Sequence, residues 1–308
     1  MNILNHNFWP LTINRSFDDL IFGISKIKNK SNFNNKNINN IYDLIRLNKQ
    51  EIISDYGCLI GSRNKRVINS ELEEESNVNM IGNQIYIGKN VKLNHISINA
   101  SEGPVWIGDN VTVMDGSVIK GPVAILEGSV IKMGAKIYPG TTIGAYCKVG
   151  GEVSNSIILG YTNKAHDGFL GDSYIGEWCN LGAGTNISNL KNNYSNIKLW
   201  NYLEGRFIDT GMQFCGLFMG DHSKCGINTM FNTGTVVGVF CNIFGSGYPR
   251  NFIPSFSWGG AHGFKEHKIE EALNTASKVL LRRGCELSVH EIDIFKNIFN
   301  ETKKYRKK

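Results

Sequence analysis

The sequence predicts a mainly β chain built around a parallel β-helix of six-residue repeats, with a short irregular N-terminal segment and two C-terminal α-helices. Three observations predict it. A branched aliphatic residue recurs every sixth position, a small or β-branched residue follows each one four places later, and glycine occupies the fourth place of several hexads.

The aliphatic series runs without a miss through Ile107, Val113, Ile119, Ile125, Ile131, Ile137, Ile143 and Val149. Its companion runs through Val111, Ser117, Val123, Ser129, Ala135, Thr141, Cys147 and Val153. Neither the helical period of about 3.6 nor the strand period of 2 gives a strict six, so each hexad reads as a short strand plus a corner. Three hexads make one triangular turn with the aliphatic residue pointing inward, and Gly116, Gly128, Gly134 and Gly140 supply the positive φ of a corner.

The same phase appears at Ile81, Ile87 and Leu93, at Ile175, Leu181 and Ile187, and at Met219, Cys225, Phe231, Val237 and Ile243. Between the blocks it slips, from Leu93 to Ile107, from Val149 to Ile175 and from Ile187 to Met219. Each step exceeds a multiple of six by two, which reads as loops extruded from the coil, the places where repeat proteins carry function.

Past Trp258 the period turns helical. Ile269, Ala272, Leu273, Ala276, Val279 and Leu280 share a face of a helix from about Lys265 to Arg283, ended by Gly284. Ser288 and Glu291 form a capping box for a second helix carrying Ile292, Phe295, Ile298 and Phe299. Near the start, residues 26–40 read as a polar linker and 41–53 as one short amphipathic helix, with no independent core. The domain reading is therefore 1–75 as a reduced N-terminal segment, 76–262 as the β-helix and 263–308 as helices with a basic tail.

Composition narrows the function. Hydrophobic content of 41% and charged content of 19% fit a globular chain, and no window approaches the length of a membrane span. The start lacks the layout of a signal peptide, so the chain reads as cytoplasmic with no membrane partner. Seven scattered cysteines without a Cys-x-x-Cys pair read as reduced, buried thiols, and seven histidines without an i, i+4 pair give no metal site. Part of the net charge of +6 sits in residues 303–308, no basic stretch carries a nucleic-acid motif, and a phosphorylated ligand would suit the surplus. Gly150-Gly151, Gly245-Ser-Gly247 and Gly259-Gly260 are turn glycines, not a dinucleotide fingerprint.

The stretch from Asn163-Lys164-Ala-His166 through Leu170-Gly-Asp172, Ile175-Gly, Asn180-Leu-Gly-Ala183-Gly-Thr and Asn189 resembles the acetyltransferase domain of GlmU, the bifunctional enzyme that acetylates glucosamine 1-phosphate and uridylylates the product. The spacings from His166 to Asn180, Asn189 and Ala183 match that family without gaps. The whole chain looks closer still to a bacterial group of sugar nucleotidyltransferases related to it, through Pro10-Leu-Thr, Lys198-Leu-Trp-Asn-Tyr, Gly220-Asp221-His-Ser-Lys-Cys and Pro249-Arg250-Asn-Phe. The resemblance implies a left-handed coil, a hand that the periodicity does not contain. It also implies acetyl-CoA as acyl donor, an amino-sugar phosphate or nucleotide sugar as partner, and a homotrimer with three equal seams.

Acetylating an amine requires the amine to lose a proton as it attacks the thioester carbonyl, and a neutral His accepts that proton near neutral pH. His166 is the candidate base; the competing reading is a packed or solvated loop histidine. By position in the family, Asn180 and Asn189 contact the sugar, and Ala183, Asp221, Thr233 and Arg250 contact the cofactor. Asn180 is also a good corner residue, so it reads both ways. Phe169 stands where the family has Tyr, the turn after Asn189 is Leu-Lys-Asn, and the family's substrate-phosphate Lys has no counterpart, leaving Lys136 or Lys164 to supply charge.

Nucleotidyl transfer would need a Gly-rich phosphate loop and Mg2+, and nothing before Ile81 contains such a loop. The N-terminal segment therefore reads as the remnant of a nucleotidyltransferase domain. Two alternatives stand beside acetylation: a sugar-phosphate nucleotidyltransferase, the only case that calls for Mg2+, and a non-catalytic β-helix that binds a nucleotide sugar.

Overall fold

The computed structural model describes residues 3–30, 33, 37–61, 66–70 and 77–306. Lys307 and Lys308 of the basic tail and part of the 26–40 linker lie outside these residues. The chain divides into two compact units, Asp18–Tyr174 and Met1–Phe17 with Ile175–Lys308, a division drawn within the repeat region.

The first unit is a parallel β-helix. One face stacks Ile85–Ile87, Val105–Ile107, Val123–Ile125, Thr141–Ile143 and Ile157–Ile158; a second stacks Ser97–Asn99, Val118–Lys120, Lys136–Ile137, Glu152–Ser154 and Phe169–Gly171; a third stacks Lys92–Leu93, Thr112–Val113, Val130–Ile131, Lys148–Val149 and Asn163–Lys164. Val123 pairs with both Val105 and Thr141, three hexads to either side, which is the predicted turn length. Both sequence series from Ile107 and Val111 face inward, none more than 2% exposed. Their small polar members bond the backbone: Ser129 Oγ donates to Gly144 O and accepts from Cys147 N. Ile81 departs from the series at 45% exposed. Fourth-place residues carry the positive φ of the corners: 58° at Asn110, 72° at Gly116 and 67° at Gly134.

The first of the three register slips is a short insertion, since Ile87 pairs with Ile107, two residues beyond three hexads, with Ser101 and Glu102 exposed. The second is not an extruded loop. Between Leu93 and Ile107 the coil continues through buried Ile98. Between Val149 and Ile175 it also continues, on shortened turns: Ile143 pairs with Ile158 and Val149 with Lys164, each half a hexad short of a full turn. The inward position of that turn is a lysine, which hides it from a search for aliphatic residues.

The N-terminal helix is longer than expected and has a place to pack. α1 (Ile41–Ile60) opens with a capping box of Asn40 and Asp43. Ile52 and Tyr56, with Ile24, pack on Ala124 beside the stacked rings of Tyr86 and Trp106 on the outer face of the coil. Burying a side chain such as Ile52 is worth about 2 kcal/mol. Asn48 adds a polar bolt: its amide donates to Gly140 O at 2.8 Å and Thr142 Oγ1 at 3.0 Å and accepts from Gly23 N at 2.8 Å. Lys30, from the expected linker, is buried against Glu51, 2.9 Å away, and Asp55.

In the second unit, Lys224 pairs with Asn242 three hexads on, but its partner on the other side is Asn180, more than seven hexads back, so an insertion longer than a full turn lies between Asn180 and Lys224. This third slip is an extruded loop, and it forms the antiparallel hairpin Lys198–Asn201/Arg206–Asp209. The β-structure ends with Gly263–Glu266 folding back antiparallel on Ser257–Gly260, so the next helix, α2 (Ile269–Leu281), starts four residues later than its periodicity suggests. α3 (Val289–Glu301) has the predicted Ser288–Glu291 capping box, and a short α4 (Lys303–Arg306) follows.

Corners of this unit carry large rings at positive φ: Trp178 at 58°, His222 at 59°, Phe240 at 55° and Phe256 at 58°. They stack in order, with centroids 6.4, 4.6 and 5.1 Å apart. From α3, Phe295 meets His222 and Phe240 edge-on and Phe299 meets Phe256. Residues 8–13 also bury here, Trp9 packing edge-on to Tyr202. Cys147, Cys179, Cys215, Cys225 and Cys241 are buried thiols as expected, whereas Cys58 is exposed and Cys285 half-buried.

Candidate functional site

His166 lies in the first unit, at the corner between Asn163–Lys164 and Phe169–Gly171. Its side chain is exposed while its backbone is held from within. Lys164, 2% exposed, takes the inward position opposite Val149 and donates its ammonium to His166 O at 2.6 Å. A buried ammonium is costly unless its donors are satisfied, so the chain is bent to bring that carbonyl to it. Lys164 thus holds the His166 backbone through that carbonyl. Lys136 is exposed on the outer face of its strand.

The remaining candidates lie in the second unit. Asn180 is exposed on its strand, and the Ala183 carbonyl accepts from Asn228 N at 2.7 Å. Asn189 is half-buried, its carbonyl taken by Cys215 N. Asp221 is 2% exposed and fully engaged: it binds the Arg15 guanidinium, accepts from Asn14 Nδ2 at 2.8 Å, and accepts from Glu177 N at 2.9 Å. It anchors Asn14 and Arg15, near the start of the chain, to the corner at His222. Beside it, burial holds the His222 imidazole well below its usual range, with the charges of Lys224 and Arg15 acting the same way.

Thr233 and Arg250, in contrast, come together. Both line an open cleft of about 1460 Å³ bounded by the hairpin, the segment from Tyr248 to Pro254 and α4. Trp200 stacks on Phe252 at 4.2 Å with Phe207 edge-on, and Lys191, Lys198, Arg250 and Lys304 also line it. Asn180, Ala183, Asn189 and Asp221 are not among its lining residues. Family resemblance pointed to Thr233 and Arg250, but the other cations are widely spread along the chain and have no shared local signal.

No family model matches the chain. A bifunctional sugar-1-phosphate nucleotidylyltransferase/acetyltransferase of Sulfurisphaera tokodaii is 34% identical over 93 residues, 30% of this chain and 23% of that protein. The bifunctional GlmU of Methanocaldococcus jannaschii is 36% identical over 90 residues, 29% of this chain and 21% of its own. An Escherichia coli protein named as the acetyltransferase YaiX is 36% identical over 152 residues, 48% of this chain and 65% of that one. Over these aligned stretches the chain is similar to GlmU-like acetyltransferases. It spans under a quarter of the two bifunctional relatives and 65% of YaiX. Among the described residues no helix is long and apolar enough to cross a membrane.

Proposed function

We propose that this GlmU-like protein is an acetyl-CoA-dependent N-acetyltransferase acting on an amino-sugar phosphate of the glucosamine 1-phosphate type, working as a homotrimer. The observation that carries the reading is the His166 corner, where an exposed imidazole sits on a backbone clamped by a buried lysine. A general base must reach a substrate proton yet hold its place, and this arrangement meets both needs. In the reaction the sugar amine attacks the thioester carbonyl, His166 takes the amine proton, and the C–S bond breaks to release coenzyme A as the tetrahedral adduct collapses to the amide.

The test is acetyl transfer from acetyl-CoA to glucosamine 1-phosphate, followed by thiol release. His166→Ala is expected to lower kcat by about 10² to 10⁴ with folding unchanged. Equal rates would remove His166 from the mechanism. A second reading, a β-helix that binds a nucleotide sugar without catalysis, is favoured by one feature: no His, Cys, Asp or Glu lines the large cleft of the second unit.

A further inference from the structure

A separate pocket of about 100 Å³ lies between α2 and the coil, lined on the coil side by His222, Lys224, Asn242 and Trp258 and on the helix side by Thr275 and Ala276. No Asp or Glu lines it, and Lys224 is its only lysine or arginine. Burial pushes the thiol of Cys241, which also lines it, up to about 12, so that group stays neutral.

Two polar groups here lack what burial requires. The Lys224 ammonium carries three donors, and its one acceptor among the described residues is the neutral His222 carbonyl, 3.0 Å from Nζ. Burial pulls this ammonium below its ordinary range, the direction expected of a charge without a counter-ion. The second group is the His222 imidazole, 6% exposed, whose Nδ1 has no hydrogen-bond partner among the described residues. Stacking on Phe240 at 4.6 Å, with Phe295 edge-on, fixes the plane of that ring.

Water in the pocket would satisfy the donors but leave the charge uncompensated, whereas an anion does both through charge-assisted hydrogen bonds. The charge sets the valence. One lysine beside a histidine held neutral by burial matches a single negative charge, and a dianion would bring a surplus into the protein. At about 30 Å³ per water the volume takes about three waters, or an anion of about four heavy atoms. Lys224 and Asn242 are half-buried and Thr275 is exposed, which leaves a way in from solvent.

We propose that this pocket binds a small monovalent anion, of halide or short-carboxylate size, held by the Lys224 ammonium and His222 Nδ1 and fastening α2 to the coil. The site stands apart from the acetylation reading, whose base lies in the first unit.

The experiment follows thermal unfolding of the full chain in rising sodium chloride, bromide, formate or acetate, with gluconate, too large for the pocket, keeping ionic strength constant. At least one of the four is expected to raise Tm saturably, by about 4 °C at a hundred times its half-saturating concentration. Their ranking separates halide from carboxylate. Lys224→Met keeps the length of the side chain without its charge, and is expected to fold in gluconate and lose the response; His166→Ala keeps it. Crystals of the parent protein grown in the most stabilising anion give a reading that needs no variant, with that anion expected beside Lys224 Nζ. The proposal is overturned if none of the four raises Tm, if Lys224→Met responds as the parent does, or if those crystals hold water alone in the pocket. Loss of acetyl transfer in His166→Ala with the anion response intact bears on the catalytic reading and leaves this site standing.

Discussion

The corners of the two units solve one backbone problem in different ways. In the first unit a positive φ is met by residues such as Asn110, Gly116 and Gly134, and the two glycines are exposed to solvent. In the second, His222, Phe240 and Phe256 hold the same left-handed conformation inside the protein. For a residue with a Cβ this conformation costs about 1–2 kcal/mol. Each ring offsets it by stacking along the column, by desolvation, and by meeting Phe295 or Phe299 of α3. The first unit also carries rings at corners, Tyr146 at φ 58° and Tyr161 at φ 59°, stacked with centroids 5.1 Å apart. A ring at positive φ therefore goes with a stacked neighbour in both units, and only the second buries its rings under a helix.

Three substitutions sharpen or break this contrast. Phe240→Gly relieves the backbone but removes the middle ring of the column, and we expect a loss of about 3 kcal/mol in urea unfolding. A stabilised variant would show that the column does not offset its strain.

His222 comes next, because its buried imidazole resists protonation. Its folded pKa lies below its ordinary 6.5, so above pH 6.5 neither state binds the proton and nothing is lost. As pH falls below 6.5 the unfolded chain takes the proton first, and stability drops by about 1.4 kcal/mol per pH unit until the folded pKa is reached. His222→Phe, which repeats the Phe240 solution, should flatten the thermal stability profile on the acid side of pH 6.5. A parent protein with no acid slope there would contradict the desolvated histidine.

The smallest effect is expected at a bare corner. Around Gly134 a Cβ would meet nothing within 4 Å, so Gly134→Ala registers only the cost of φ = 67°, about 1 kcal/mol. Gly128 differs, since its Cβ would fall 2.5 Å from the Tyr146 ring.

A comparable divide separates the candidate site residues. Thr233 and Arg250 line one cleft, although no motif links them to Lys191, Lys198 and Lys304. Asp221, assigned with them, is instead bound by Asn14 and Arg15 from the opposite end of the chain. Lys164 carries the charge expected of a phosphate ligand yet points inward, because a shortened turn places it opposite Val149. No local pattern reveals a partner that far away in sequence or a turn half a hexad short.

By itself the sequence determined the hexad coil, the inward series from Ile107 to Val149 and the capped α3, because each rests on contacts that repeat at a fixed short spacing. Tertiary structure alone decided that α1 and Asn48 seat on the outer face of the coil, that His166 is held through Lys164, and that rings from Trp178 to Phe256 form one column. It also decided that cations far apart in the chain share one cleft. These depend on which distant groups can satisfy a buried amide, ammonium or ring, and that is fixed only when the coil has brought them within a few ångströms.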